Sequence, residues 1–168
     1  MAYTSFLIPT KVTQDTGSSE ISWLLDSNVQ NETTGCESSV PLTSFNSKST
    51  GLLIFSNFRT NKVPAVNDDG STATVLNGIE CKIICNKDGR IKDHIIQLAQ
   101  NGVLIGNNKS SSSSGNIHTY GSNTDLWGAS LTHSDLSSLQ IAVKYKSGSI
   151  PHSDTCYVYS AQLKIHYS

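Results

Sequence analysis

The chain has 168 residues, a length that suits one domain able to bury about 68–70% of the surface its unfolded form exposes. Apolar residues make up 36% and charged residues 15%, and the Ser, Thr, Asn and Gly that fill the difference suit short strands joined by turns better than helices. Twelve basic against thirteen acidic residues with no basic block leave no electrostatic footprint for nucleic acid, and apolar runs of about four residues fall far short of the roughly 20 that cross a bilayer.

The opening stretch "MAYTSFLIPTK" lacks the charged n-region and long apolar h-region of a signal peptide, so synthesis in a cytoplasm is expected. Residues 1–20 read as an extended N-terminal arm, in which "TSFLIPTKV" is apolar enough to pack and "TQDTGSSE" is loop. One domain follows over residues 21–168. "ISWLLDSNV" is a strand or short turn carrying Trp23, and "NETTGCESSVPLTSFNSKST" is loop with a brief strand at most. "GLLIFSNFRT" alternates as a strand, with Leu53 and Phe55 on one face and Leu52, Ile54, Ser56 and Phe58 on the other. "VPAVNDDGSTATV" is a connection punctuated by Pro and Gly.

"NGIECKIICNKDGRIKDHIIQLAQNG" then gives two strands around Asp88-Gly89, a dipeptide that favours a hairpin turn. Ile79, Cys81, Ile83 and Cys85 share one face of the first strand; His94, Ile96 and Leu98 share one face of the second. After "VLIGNNK" and a serine tract, "LTHSDLSSL" carries the one helical signal, a capping-box-like Thr132 and Asp135 opening a single turn near 132–138. Leu131, Leu136 and Leu139 face inward from it. "SLQIAVKYKSG" and "CYVYSAQLKIHYS" are alternating strands, the last with Tyr157, Tyr159, Ala161, Leu163, Ile165 and Tyr167 on one face. Period-two alternation and frequent turn signals predict an all-β fold, an antiparallel β-sandwich of jelly-roll or Ig-like type.

Chemistry-bearing constellations are sparse. Cys81 and Cys85, about 13 Å apart along a strand, cannot bond to each other, and Cys36 and Cys156 do not complete a zinc set. All four cysteines are expected as buried thiols. Asp93 and His94 are neighbours on a strand and point to opposite faces. His118, His133, His152 and His166 fall on loops or solvent faces, with no nucleophile signature near them. Asp68-Asp69-Gly70 and Lys87-Asp88-Gly89 read as turns, since neither extends into a calcium loop. The tyrosines of the last strand read as core. No catalytic residue, metal site or cofactor is predicted. Trp127, set between Leu126 and Gly128, reads as a plug closing the core, with a sugar-stacking platform as the competing reading.

Taken in order, "LNGIECKI", "DHIIQL", "GNNK", "YGSNTDLWG", "LTHSDLSSLQIAVKY" and "AQLKIHY" resemble a family of small β-sandwich domains found in virion structural proteins of tailed bacteriophages. The resemblance runs from about Ile21 to Tyr167. Its most specific parts are Gly106, Asn107, Asn108 and Lys109, and then Tyr120, Gly121, Asp125, Leu126, Trp127 and Gly128, which the family uses for structure. The final "SAQLKIHYS" departs from the Asp-His pair common in the family's last strand. The resemblance implies a non-enzymatic virion component, namely a decoration or minor capsid protein stabilising the shell through contacts with a major capsid protein or tail components. Assembly as a homo-oligomer, such as a trimer, is expected by analogy with that class, with no nucleic-acid or membrane partner. Tyr3, Phe6, Leu7 and Ile8 of the arm are the expected docking residues. The alternative is a tail- or head-fibre adhesion module for host glycans, with Tyr120, Asn123, Asp125 and Trp127 as its cluster.

Overall fold

Two antiparallel sheets pack face to face in the computed structural model, which describes residues 1–25, 38–42, 48–66, 74–87, 90–112, 116–147 and 154–168. The first sheet runs in the order β3 (Leu24–Leu25), β4 (Ser38–Leu42), β11 (Asp154–Tyr167), β6 (Leu76–Lys87) and β9 (Ile117–Gly121), with β1 (Ala2–Tyr3) also paired to β11. The second runs β2 (Lys11–Asp15), β5 (Leu52–Ser56), β10 (Leu139–Ser147), β7 (Ile91–Gln100) and β8 (Val103–Ile105). The fold is therefore the all-β sandwich that the alternation predicts.

Between the sheets lies one apolar core. Ile79, Cys81, Ile83 and Cys85 from β6 and Leu163 and Ile165 from β11 meet Leu53, Phe55, Ile96, Leu98, Ile141 and Val143 of the second sheet, each at most 1% exposed. The expected helical turn is a 3-10 turn over His133–Ser138, and it buries Leu136 and hands the chain to β10. The Asp135 carboxylate accepts from the Thr132 backbone N–H at 2.8 Å and from its hydroxyl at 2.7 Å, which fixes the start of the turn.

Four expectations need correction. First, β6 and β7 do not form a hairpin. β6 pairs with β9 and β11, whereas β7 pairs with β8 and β10, so the chain changes sheet between Lys87 and Ile91. Asp88 and Gly89 themselves lie outside the described residues, as do Cys36 and Asp68-Asp69-Gly70. The hairpin is made instead by Asn101-Gly102, whose φ values of 50° and 81° match a turn with both central residues left-handed.

Second, a register shift between Lys144 and Tyr145 falls opposite Asp93 and Ile95, so His94 is the extra residue of a β-bulge. The bulge reverses the phase of the strand start. Ile91 and Asp93 face the core with Ile96 and Leu98, and His94 does not share their face.

Third, a second shift between Val158 and Ser160 reverses the phase of β11. Cys156 and Val158 point inward, so Tyr157 and Tyr159 lie half-buried on the outer face, stacked with centroids 5.9 Å apart and planes 4° from parallel.

Fourth, residues 1–15 are not a free arm. Ala2 and Tyr3 pair with Tyr167 and His166, Leu7 bridges Leu163, and Lys11–Asp15 pairs along β5. The segment crosses from the edge of one sheet to the edge of the other. Leu7, only 3% exposed, is in the chain's own core, so it is not available to a neighbouring subunit. The reason is an unpaired stretch of β11 beyond β4, which an apolar strand can satisfy within the molecule.

Candidate functional site

The two sequence motifs that carry the resemblance meet in space and form one joint. The Asn107 N–H donates to the Trp127 carbonyl at 2.5 Å, and Lys109 Nζ pairs with Asp125 Oδ2 at 2.7 Å. Asn108 ties the same loop to β7: its Oδ1 accepts from Ile96 N at 3.0 Å and its Nδ2 donates to the His94 carbonyl at 2.8 Å. Together with Lys109 N, which donates to the Ile96 carbonyl at 2.8 Å, these bonds satisfy the edge of β7 beyond the end of β8.

On the other side of the joint, the Asp125 side chain accepts from Trp127 N at 2.7 Å and the Asp125 carbonyl accepts from Ile79 N at 3.0 Å. Ala129 N donates to the Leu126 carbonyl at 3.0 Å around Trp127 and Gly128, both left-handed at φ 60° and 70°. That is the geometry of a type I′ turn. The turn drops the indole into the core, fully buried, with Nε1 donating to the Ile79 carbonyl at 2.9 Å. Trp127 is a plug. As a sugar platform it is inaccessible, and the cluster with Tyr120, Asn123 and Asp125 loses its stacking face.

The glycines of the motifs are set by close approach. A Cβ on Gly121 would lie 2.2 Å from the Ile79 carbonyl and 2.6 Å from the indole nitrogen, and one on Gly106 would lie 2.4 Å from the Trp127 carbonyl. Both also have positive φ. Lys109 holds the Asp125 carboxyl below the usual carboxylate range, helped by the Trp127 N–H.

Beside the joint, the strand ends nearest the sheet-to-sheet crossing enclose a polar cluster that sequence reasoning missed. Lys87 Nζ contacts Asp93 Oδ1, with the two side chains 1% and 0% exposed. Asp93 Oδ2 accepts from the Tyr120 hydroxyl at 2.6 Å, from Ser111 N at 3.3 Å and from Ser111 Oγ at 3.4 Å. The ring of fully buried Tyr145 lies 4.9 Å from the ammonium. Burial pushes the Tyr120 phenol up, and its bond to Asp93 adds to the shift. Desolvation likewise raises the thiols of Cys81, Cys85 and Cys156, the last to about 12, and all three are buried thiols outside any disulfide. The signal for the cluster was present in the sequence: the inward face of Ile83 and Cys85 continues in step to Lys87, and Ile91 leads to Asp93 in step from the other side.

The outward surfaces differ. On the first sheet, Lys82 lies 4.3 Å from the Phe6 ring centroid and Lys164 lies 4.6 Å from that of Tyr3, while Glu80 accepts from His166 at 2.6 Å. His166 is 5% exposed beneath Tyr3, not on a solvent face. Phe6 and Ile8 are partly buried and Tyr3 is 64% exposed. On the second sheet, Ile54, Ala99 and Ala142 pack outside the main core with half-buried Leu52, Ile95 and Leu104. Among the described residues no group of three or more His, Cys, Asp or Glu is placed to hold a metal ion, and no helix is long and apolar enough to cross a membrane. Comparison of the chain with protein-family models, with curated proteins and with solved structures finds no match.

Proposed function

We propose that the chain is a non-enzymatic structural component of a phage-type virion, a decoration or minor capsid protein that binds a protein shell through an outer sheet face. The observation that carries this reading is the joint between the two motifs. The residues behind the resemblance fasten one part of the sandwich to another instead of lining an open cleft, as a structural role requires.

With Leu7 committed to the core, the docking surface moves from the arm to the outer face of the second sheet. Half-exposed Leu52, Ile95 and Leu104 make an apolar cluster there over buried Ile54 and two alanines, a surface that a partner could cover. Homo-oligomers of the chain, including a trimer, would use this face as well. Nothing at Trp127 favours the glycan-binding alternative.

The test is co-sedimentation of the purified chain with phage particles that lack it. Saturable binding at a fixed stoichiometry, weakened at least tenfold by Ile95→Lys or Leu104→Lys in folded protein, is expected. A folded natural chain that stays in the supernatant at all concentrations would contradict the proposal.

A further inference from the structure

Lys87 and Asp93 are the last residue of β6 and the third residue of β7, so they stand on opposite sheets where the chain crosses between them. Their side chains meet in a compartment closed by Tyr145, Cys85 and Cys156, each at most 1% exposed. An ion pair so enclosed gives up the hydration of both charges, which the Tyr120 and Ser111 donors on Asp93 and the Tyr145 ring beside Lys87 restore in part. Were one proton to pass from the ammonium to Asp93 Oδ1, an amine would stand against a carboxylic acid, a nucleophile against its electrophile, with both side chains out of solvent.

We propose that Lys87 and Asp93 condense in the folded chain to an intramolecular isopeptide bond that joins the two sheets. The surroundings of Asp93 supply what the reaction needs. Lys87 Nζ, already touching Oδ1, rises onto the face of the carboxyl carbon by rotation of its own side chain and forms the N–C bond. Negative charge then develops on Oδ2, where the Tyr120 hydroxyl at 2.6 Å, Ser111 N at 3.3 Å and Ser111 Oγ at 3.4 Å all donate. That is the arrangement of an oxyanion hole. The C–Oδ1 bond breaks, and Oδ1 leaves as water carrying two of the three protons of the original ammonium. The third stays on the amide nitrogen. The reaction balances without oxidant, reductant or cofactor, and exclusion of water favours its product.

The bond would close the sandwich covalently at one end, a property beyond the shell-binding role and independent of it. A neutral amide also removes the need to hold two charges in the core.

The test is the intact mass of the natural full-length chain, measured under denaturing conditions after folding, with peptide mapping. The expected mass is lower than that of the sequence by one water, allowing for removal of Met1. The loss should map to a peptide in which trypsin fails to cut after Lys87 and a branch joins Lys87 to Asp93. Lys87→Arg should restore the full mass. Asp93→Asn should lose one ammonia and reach the same product. Tyr120→Phe should leave both masses in freshly made protein, with linkage slowed roughly 10²–10³-fold, the loss typical of one oxyanion donor. An unchanged mass for the natural chain overturns the proposal, whatever the variants do. So does a one-water loss that hydroxylamine cleaves at Asp88-Gly89, because that identifies a backbone succinimide.

Discussion

Trp127 holds a left-handed backbone that a residue with a Cβ adopts at a cost of about 1–2 kcal/mol, and it does so because the turn delivers the indole into the core. Trp127→Ala should therefore destabilise the chain by about 3–5 kcal/mol, read as a lower midpoint in urea unfolding. Trp127→Phe keeps most of the apolar surface but leaves the Ile79 carbonyl without its donor, which should cost about 1–3 kcal/mol. A smaller loss for Phe than for Ala assigns the remainder to packing. The glycines separate strain from space. At Gly102, φ is 81° and nothing lies within 4 Å of an added Cβ, so Gly102→Ala should cost only the backbone strain, about 1–2 kcal/mol. At Gly121 the same strain is joined by a Cβ 2.2 Å from the Ile79 carbonyl, so Gly121→Ala should cost clearly more in the same assay. Asp125 adds a pH signature. Its carboxyl is held low in the folded chain by Lys109 and the Trp127 N–H, so the folded state binds that proton less readily than the unfolded one. The stability this contributes is present above the unfolded carboxylate pKa and lost as pH falls through the folded value. Asp125→Asn should flatten stability against pH in the acid range without changing its slope near neutrality.

At the scale of elements, the chain's first strands complete the sandwich instead of reaching out of it. β1 and Leu7 cover the part of β11 that β4 leaves free, and β2 covers β5. Deleting residues 1–8 should expose that edge, lower stability and promote association through unpaired strand. A free arm would predict unchanged thermal unfolding after the deletion, so differential scanning calorimetry decides between them. Leu7→Ala should cost about 2–5 kcal/mol on the same grounds. Much of this level was legible in the sequence. The long alternating strands and the Thr132–Asp135 turn sit where their patterns place them, because local periodicity and capping chemistry determine them. Sheet membership was not legible. Asp88-Gly89 signals a reversal in the sequence, but which sheet the next strand joins depends on pairing with distant strands. The bulges at His94 and beside Tyr159 were also hidden, since one inserted residue exchanges the faces of everything on one side of it. That exchange turned Tyr157 and Tyr159 outward and Asp93 inward. Asp93, which unbroken alternation puts on the face opposite Ile96 and Leu98, became half of a buried pair.

For the whole molecule, the motifs that are most distinctive in the sequence are the ones most used by the fold. Gly106 to Lys109 and Tyr120 to Gly128 hold β6, β7 and the Trp127–Gly128 turn in one joint, and Tyr120 also reaches into the Lys87–Asp93 cluster. The plug role of Trp127 could be read from its setting, but the contact between the two motifs could not, because it depends on which strands face each other across the core. The proposed function rests on this division: the motifs fasten the interior, which leaves the outer sheet faces for the partners it would bind. The most direct test is imaging, at side-chain resolution, of phage particles assembled in cells that make the chain. The account expects copies repeated over the shell, each with Trp127 buried inside its own sandwich and the Leu52, Ile54, Ile95 and Leu104 face against a capsid subunit. Particles that contain no copy, or copies held at fibre tips with the Tyr120 loop turned to solvent and that face uncovered, would contradict it.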